Sequence, residues 1–249
     1  MLDDRFVYFP APWEEQDWKD LSQLPLEETW FQAEDGARLF GWYLDPVDAE
    51  GVLLWCHGNA GNIIHRLDQA ARFYNHRLAC FLWDYRGYGR SEGTPSEEGL
   101  YLDAQAAYDH LASARRIAPG RLIGYGQSLG AAVVGELALR RKLAGLILEA
   151  PFPSVKAVAR RHYGGVPVDA FLRARYDLAG RLKRVQAPVL VLHGDRDSII
   201  PMELGKAVYD AANEPKEFYR VPGADHNDVY LVGGEDYFER FTHFARQTT

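Results

Sequence analysis

The segment Gly126-Gln127-Ser128-Leu129-Gly130 limits the architecture more than any other stretch of this chain. It reads G-x-S-x-G between two segments of different character. Arg121-Leu122-Ile123-Gly124-Tyr125 before it is a short apolar run, and Ala131 to Arg140 after it is a helix former. A serine at a sharp strand-to-helix turn is thrust out of the sheet with its hydroxyl exposed. The flanking glycines are needed because a side chain there would collide with the neighbouring strand or helix. The turn also places Ser128 at a helix N-terminus, where backbone N–H groups face a developing anion. The motif alone arises by chance in roughly one chain in ten of this size, so its meaning depends on what the rest of the chain supplies.

Strand-like and helix-like segments alternate, which predicts an α/β class. Candidate strands are Glu28–Ala33, Leu39–Leu44, Gly51–Cys56, Ala79–Asp84, Leu122–Tyr125, Gly145–Glu149, Pro188–His193 and Lys216–Val221. Leu146-Ile147-Leu148 and Val189-Leu190-Val191-Leu192 are apolar without alternation, as in strands covered by helices on both faces. Candidate helices are Asn62–Tyr74, Ser96–Arg115, Ser128–Arg141, Pro201–Ala212 and Gly234–Arg246. Glu34-Asp35-Gly36-Ala37 reads as a hairpin turn. Residues 153–184 break the alternation, and connections of that length usually have a function or a structure of their own. We read them as a short lid within a single domain spanning 1–249.

The chain has 249 residues, ample for one large α/β domain. Its net charge of −7 argues against a nucleic-acid partner. The two cysteines, Cys56 and Cys80, lie in apolar runs and read as buried reduced thiols. No C-x-x-C and no histidine pair at helical i, i+4 spacing suggests a metal site, so no metal and no cofactor is expected. The N-terminal residues lack the pattern of a signal peptide, and no stretch is long enough to span a bilayer, which predicts a cytoplasmic protein.

A serine hydroxyl needs a general base. His226 is the best of the eight histidines, because it lies in a loop of turn formers after the last candidate strand, where a parallel sheet displays its chemistry. His57 and His193 sit at strand ends before glycine, where packing or hydrogen bonding is the simpler role. The imidazole needs a carboxylate to hold its tautomer. The segment 193–201, His-Gly-Asp-Arg-Asp-Ser-Ile-Ile-Pro, offers Asp197 and Asp195. Asp197 is favoured because it lies further into the loop, whereas Asp195 suits a turn. The order Ser128, Asp197, His226 is the one expected for this type of sheet. Oxyanion donors are expected from the backbone N–H of Leu129 and from the glycine-rich loop after Cys56, with Asn59 preferred and Ala60 the adjacent alternative.

The motifs HGNAGN (57–62), DYRGYGRSEG (84–93), GQSLG (126–130), HGDRDSIIP (193–201) and DHND (225–228) closely resemble those of the α/β-hydrolase fold serine hydrolases. The likeness is to the BEM46-like group, which includes the ABHD13- and ABHD17-type proteins. It extends from about Asp35 to the C-terminus and implies an α/β-hydrolase fold with a mostly parallel eight-stranded sheet. By position it also implies Ser128 as nucleophile, Asp197 as acid, His226 as base, and Asn59 and Leu129 as oxyanion-hole residues. Many relatives carry an N-terminal membrane helix or a lipidated cysteine-rich segment, and this chain shows neither. The expected activity is cleavage of small-molecule carboxylic esters or other acyl substrates through an acyl-enzyme. Thioesterase, deacylase or peptidase action by the same chemistry, and a non-catalytic ligand-binding protein, are the alternatives. Lys156, Arg160, Arg161, Arg173, Arg175, Arg181, Lys183 and Arg184 make the lid basic. Such a segment can attract anionic acyl substrates or a peripheral lipid headgroup surface, and an ordinary solvated face competes as its explanation. Oligomeric state is not readable from the sequence.

Overall fold

Eight strands form one sheet, in the spatial order Lys216–Val221, Val189–Gly194, Gly145–Glu149, Leu122–Gln127, Gly51–Cys56, Leu78–Trp83, Arg38–Leu44 and Glu27–Gln32. The computed structural model describes residues 7–14, 24–162 and 174–249. The strands are β2 (Glu27–Gln32), β3 (Arg38–Leu44), β4 (Gly51–Cys56), β6 (Leu78–Trp83), β7 (Leu122–Gln127), β8 (Gly145–Glu149), β9 (Val189–Gly194) and β10 (Lys216–Val221). The pairs from β6 through β4, β7, β8 and β9 to β10 are parallel. The hairpin partners β2 and β3 run antiparallel to each other, and β3 runs antiparallel to β6. The eight strands match the sequence expectation to within one or two residues at each end.

The apolar runs of the strands are split between two cores by the two-residue alternation of a β-strand. Leu54, Cys56, Phe81, Trp83, Leu146, Leu148, Val189 and Val191 face one core. Leu53, Trp55, Cys80, Leu82, Ile147, Leu190 and Leu192 face the other. Helices α1 (Leu67–Asn75) and α7 (Val229–Thr248) close the second core. Helices α2 (Glu97–Asp109), α3 (Leu129–Arg140), α5 (Leu178–Leu182) and α6 (Met202–Ala211) close the first. Cys56 and Cys80 thus lie on opposite faces, both as free thiols, and burial pushes both upward in pKa.

Three details depart from the sequence expectation. A two-stranded parallel ladder pairs β1 (Phe9–Pro10) with β5 (Ala60–Gly61), elements too short to leave a periodic signal. The span α7 holds two helical pieces that meet at Gly234, whose φ of 55° and ψ of −139° are not helical; the helix expected from Gly234 is present, and a short piece from Val229 that was not expected precedes it. The helix expected to reach Arg115 leaves α-geometry at Asp109 and ends in one wide π-turn, His110–Ala114. Within the segment read as a lid, α4 (Val155–His162) and α5 are helical, and residues 163–173, including Arg173, lie outside the described residues. Among the described residues no helix is long and apolar enough to cross a membrane.

Candidate active site

Strand β4 sends its chain to β6 on one side of the sheet, while β7 lies on its other side. The helices that follow these two strands, α1 and α3, therefore lie on opposite faces, and a crevice opens at the carboxyl ends of β4 and β7. Ligands of open α/β sheets bind at such a switch point.

Ser128 occupies the turn from β7 to α3 with φ 50° and ψ −112°. This left-handed backbone is strained for a side-chain-bearing residue. The Ser128 N–H donates to the Glu149 carbonyl at 2.8 Å, and its own carbonyl accepts from the Ala131 N–H at 3.0 Å. Its side chain does not cap α3, and among the described residues the hydroxyl has no hydrogen-bond partner. Gly130 explains its place in the motif by close approach, since a Cβ there would lie 1.9 Å from the Cys56 carbonyl oxygen.

The loop after β4 lies beside Ser128: a Cβ on Gly58 would sit 3.9 Å from that of Ser128. Its carbonyls are tied from two sides. Tyr85 and Tyr88 donate their hydroxyls to the His57 and Asn59 carbonyls at 2.9 and 2.8 Å. Phe9 donates its N–H to the Asn59 carbonyl at 2.9 Å, and the Asn59 side chain donates to the Val7 carbonyl at 3.0 Å. Among the described residues the backbone N–H groups of Asn59 and Leu129 have no hydrogen-bond partner. Below the loop, burial holds His57 neutral, down to about 3, and pushes Asp84 up to about 8.

Strand β9 delivers Asp197, whose side chain is fully buried, and the loop after β10 delivers His226. His226 donates from Nδ1 to Asp197 Oδ2 at 2.7 Å. The other carboxylate oxygen accepts the N–H groups of Ile199 and Ile200 at 3.0 and 2.6 Å. Burial alone would raise the Asp197 pKa, but the adjacent His193 imidazole and the hydrogen bond from His226 hold it well below the usual carboxylate range. Asp195 instead accepts the Gly223 N–H at 2.7 Å and pairs with Arg220, binding the β9 loop to the β10 loop. The structure thus brings Asp197 and His226 together, while Ser128 stands at the same end of the sheet without a hydrogen bond to the imidazole. Contacts of this kind commonly tighten only in a substrate complex.

Further residues support the site, and His193 has the hydrogen-bonding role expected of it. His193 donates from Nε2 to the Ile200 carbonyl at 2.7 Å and lies 3.3 Å from Asp197 Oδ2. Asp225 accepts the N–H and hydroxyl of Ser198 at 2.7 and 2.9 Å and the N–H of His226 at 2.7 Å, which joins the acid loop to the histidine loop. Beneath the nucleophile turn, buried Glu149 accepts from Tyr125 at 2.7 Å, from Gln127 at 3.1 Å and from Tyr237. Gln69 donates to both tyrosine hydroxyls, and Trp55 donates to Gln127 at 2.9 Å. The charge of Glu149 in an apolar strand end is the one sequence signal of this network. Tyr85 and Arg86 have structural roles: Arg86 forks onto Asp103 and Asp35 at 2.6 to 3.1 Å.

Comparison with known proteins fits this architecture. Residues 47–166 match the family described as Serine aminopeptidase, S33. The chain is 35% identical over 246 residues to the alpha/beta hydrolase domain-containing protein WAV2 of Arabidopsis thaliana, covering 90% of this chain and 80% of that protein. The chain belongs to the α/β-hydrolase family. This hydrolase is also 37% identical over 247 residues to the uncharacterized protein Rv2307c of Mycobacterium tuberculosis, with 98% of this chain and 87% of that protein covered. An esterase of Pyrococcus furiosus, Pf2001, shares its fold at a TM-score of 0.79 and 19% identity, over 97% of this chain and 99% of the esterase.

Proposed function

We propose that this α/β-hydrolase is a serine hydrolase that cleaves carboxylic esters through an acyl-enzyme on Ser128. The observation that carries the reading is the 2.7 Å bond from His226 Nδ1 to buried Asp197, which fixes the tautomer and leaves Nε2 without its proton, as a base. The Ser128 hydroxyl adds to the ester carbonyl as His226 Nε2 takes its proton. The N–H groups of Asn59 and Leu129 donate to the resulting oxyanion. Collapse breaks the bond to the leaving oxygen, which receives the proton from His226. Water then attacks the acyl-enzyme by the same path, returns Ser128 and releases the acid. No cofactor enters this scheme.

Exposed apolar side chains lie close in the chain to the site residues, and an acyl group with apolar character would suit them. Phe9 adjoins the Asn59 loop, Ile199 follows Asp197, and Leu231 and Val232 follow His226 in the chain. A second reading has one specific support: the aminopeptidase family match admits amide substrates, because the same acyl transfer serves an amide.

The test is hydrolysis of a p-nitrophenyl ester series from acetyl to lauroyl, beside an aminoacyl p-nitroanilide series. Turnover of esters by wild type with a loss of at least about 10³-fold in Ser128→Ala is the expected result. Equal activity in both proteins would remove Ser128 as nucleophile. Preference for anilides would move the reading to a peptidase. Tight ligand binding without turnover of either series would favour the non-catalytic alternative.

A further inference from the structure

Arg66 is a half-buried cation beside the nucleophile, and no carboxylate of the described residues is in contact with it. It lies in the 3-10 turn Ile63–Arg66 that links the oxyanion loop to α1. Its Nη2 donates to the Ala60 carbonyl at 3.1 Å and Nη1 reaches only the His65 carbonyl, at 3.5 Å. Among the described residues it forms no ion pair. An arginine offers five N–H donors in a planar fork suited to carboxylate or phosphate. Here two reach backbone carbonyls, and none of the guanidinium nitrogens is sealed away from solvent without a partner. Burial pushes the guanidinium below its ordinary value, and Tyr125, Glu149 and Asp84 offset this only in part and without contact. A cation without an ion pair, its fork reaching solvent beside the nucleophile, is placed to meet an anionic group.

The position of the fork defines what could visit. Arg66 Nη2 and Ser128 Cβ each lie 3.9 Å from the point where a Gly58 Cβ would sit, so the two are separated by at most twice that distance. Arg66 approaches Ser128 from the β4 side of β7, and His226 comes from β10 on the opposite side. The leaving group must lie toward His226 to receive its proton. The part of the substrate that faces Arg66 is therefore the acyl part.

Resting on the serine hydrolase reading, we propose that Arg66 is a specificity-determining residue that binds an anionic group, carboxylate or phosphate, on the acyl portion of the substrate a few bonds from the scissile carbonyl. The basic lid residues are not needed for this assignment. The charge comes from the turn that carries the oxyanion loop, and it acts at contact range rather than by long-range attraction.

Two esters of equal chain length separate charge from shape: mono-p-nitrophenyl glutarate and p-nitrophenyl valerate. Replacement Arg66→Met keeps an unbranched stem of about the reach of the arginine methylenes and removes the fork. The expected result is a fall of about 10- to 100-fold in kcat/KM on the glutarate ester with less than about threefold change on the valerate ester. Arg66→Lys should restore part of the lost activity. Equal losses on both esters would overturn the proposal and leave Arg66 as a clasp on the Ala60 carbonyl or a general stabiliser of the oxyanion. Binding of glutarate followed by calorimetry keeps the two claims apart. Glutarate bound by wild type and not by Arg66→Met, without turnover of any ester, would support the Arg66 site and fail the hydrolase reading. Ester turnover with no preference for the anionic ester and no glutarate binding would do the reverse.

Discussion

Asp197 gathers contacts from His226, His193 and the N–H groups of Ile199 and Ile200. A carboxylate held this way is fixed in both charge and orientation, and it holds the imidazole in turn. Replacing it, Asp197→Asn, should lower kcat by roughly 10⁴-fold with little change in fold, because the amide favours the wrong tautomer. It should also cost about 1–3 kcal/mol of stability at neutral pH. The folded carboxyl titrates below its unfolded value of about 3.9. Its contribution to stability is therefore complete above that value and is lost as pH falls through the folded pKa. Urea unfolding should show the gap between wild type and Asp197→Asn narrowing from about pH 5 to about pH 2, and a gap that did not change with pH would contradict the assignment. Asp197 and His226 could be singled out in the sequence because each sits in a loop of turn formers directly after a strand. The hydrogen-bonding role of His193 was legible from its place at a strand end, and its bond to Ile200 fits it. Ser198 and Asp225 could not be given their roles, since those depend on two loops meeting in space: the two residues are 27 apart.

The β7–α3 turn is the element on which the site depends, and backbone packing rather than side-chain chemistry holds it. Gly130 lies so close to the Cys56 carbonyl that an added methyl must force the helix away from β4. Gly130→Ala should lower stability by about 3 kcal/mol or more, a fall in Tm of roughly 6–12 °C for a chain of this size. Gly120→Ala, where an added Cβ meets nothing within 4 Å, is the matched control and should leave Tm unchanged. Thermal unfolding by circular dichroism reads both, and an unchanged Tm for Gly130→Ala would contradict the close-packing account. This turn was legible because glycine, serine and the change of periodicity coincide within five residues. The central strands were legible because residues such as Val189–Leu192 are apolar on both faces. The β1–β5 ladder was not, because two residues per strand carry no alternation and the pairing partner is remote in the chain. The boundary at Gly234 was legible, because glycine is the residue that takes its positive φ; the short helical piece from Val229 before it was not, since one turn carries too few residues for a periodic signal.

Across the whole molecule, one topological fact gathers the chemistry. The helices after β4 and β7 cover opposite faces of the sheet, so the Gly58–Asn59 loop and the Ser128 turn meet at the crevice between them. The loops after β9 and β10 then bring Asp197 and His226 to the same end. The cores on either side are made by simple alternation along each strand, which is why the fold class could be read without knowing any contact. The relation of Ser128 to His226 is set by loops over the sheet edge, and no local pattern encodes it. We expect this end of the sheet to activate one particular serine, Ser128. The direct measurement is reaction with a fluorophosphonate, followed by intact mass and peptide mapping. One phosphonyl adduct per chain, on the peptide containing Ser128 and absent from Ser128→Ala and strongly slowed in His226→Ala, is the predicted result. An adduct on another residue, or one formed equally fast without His226, would contradict it.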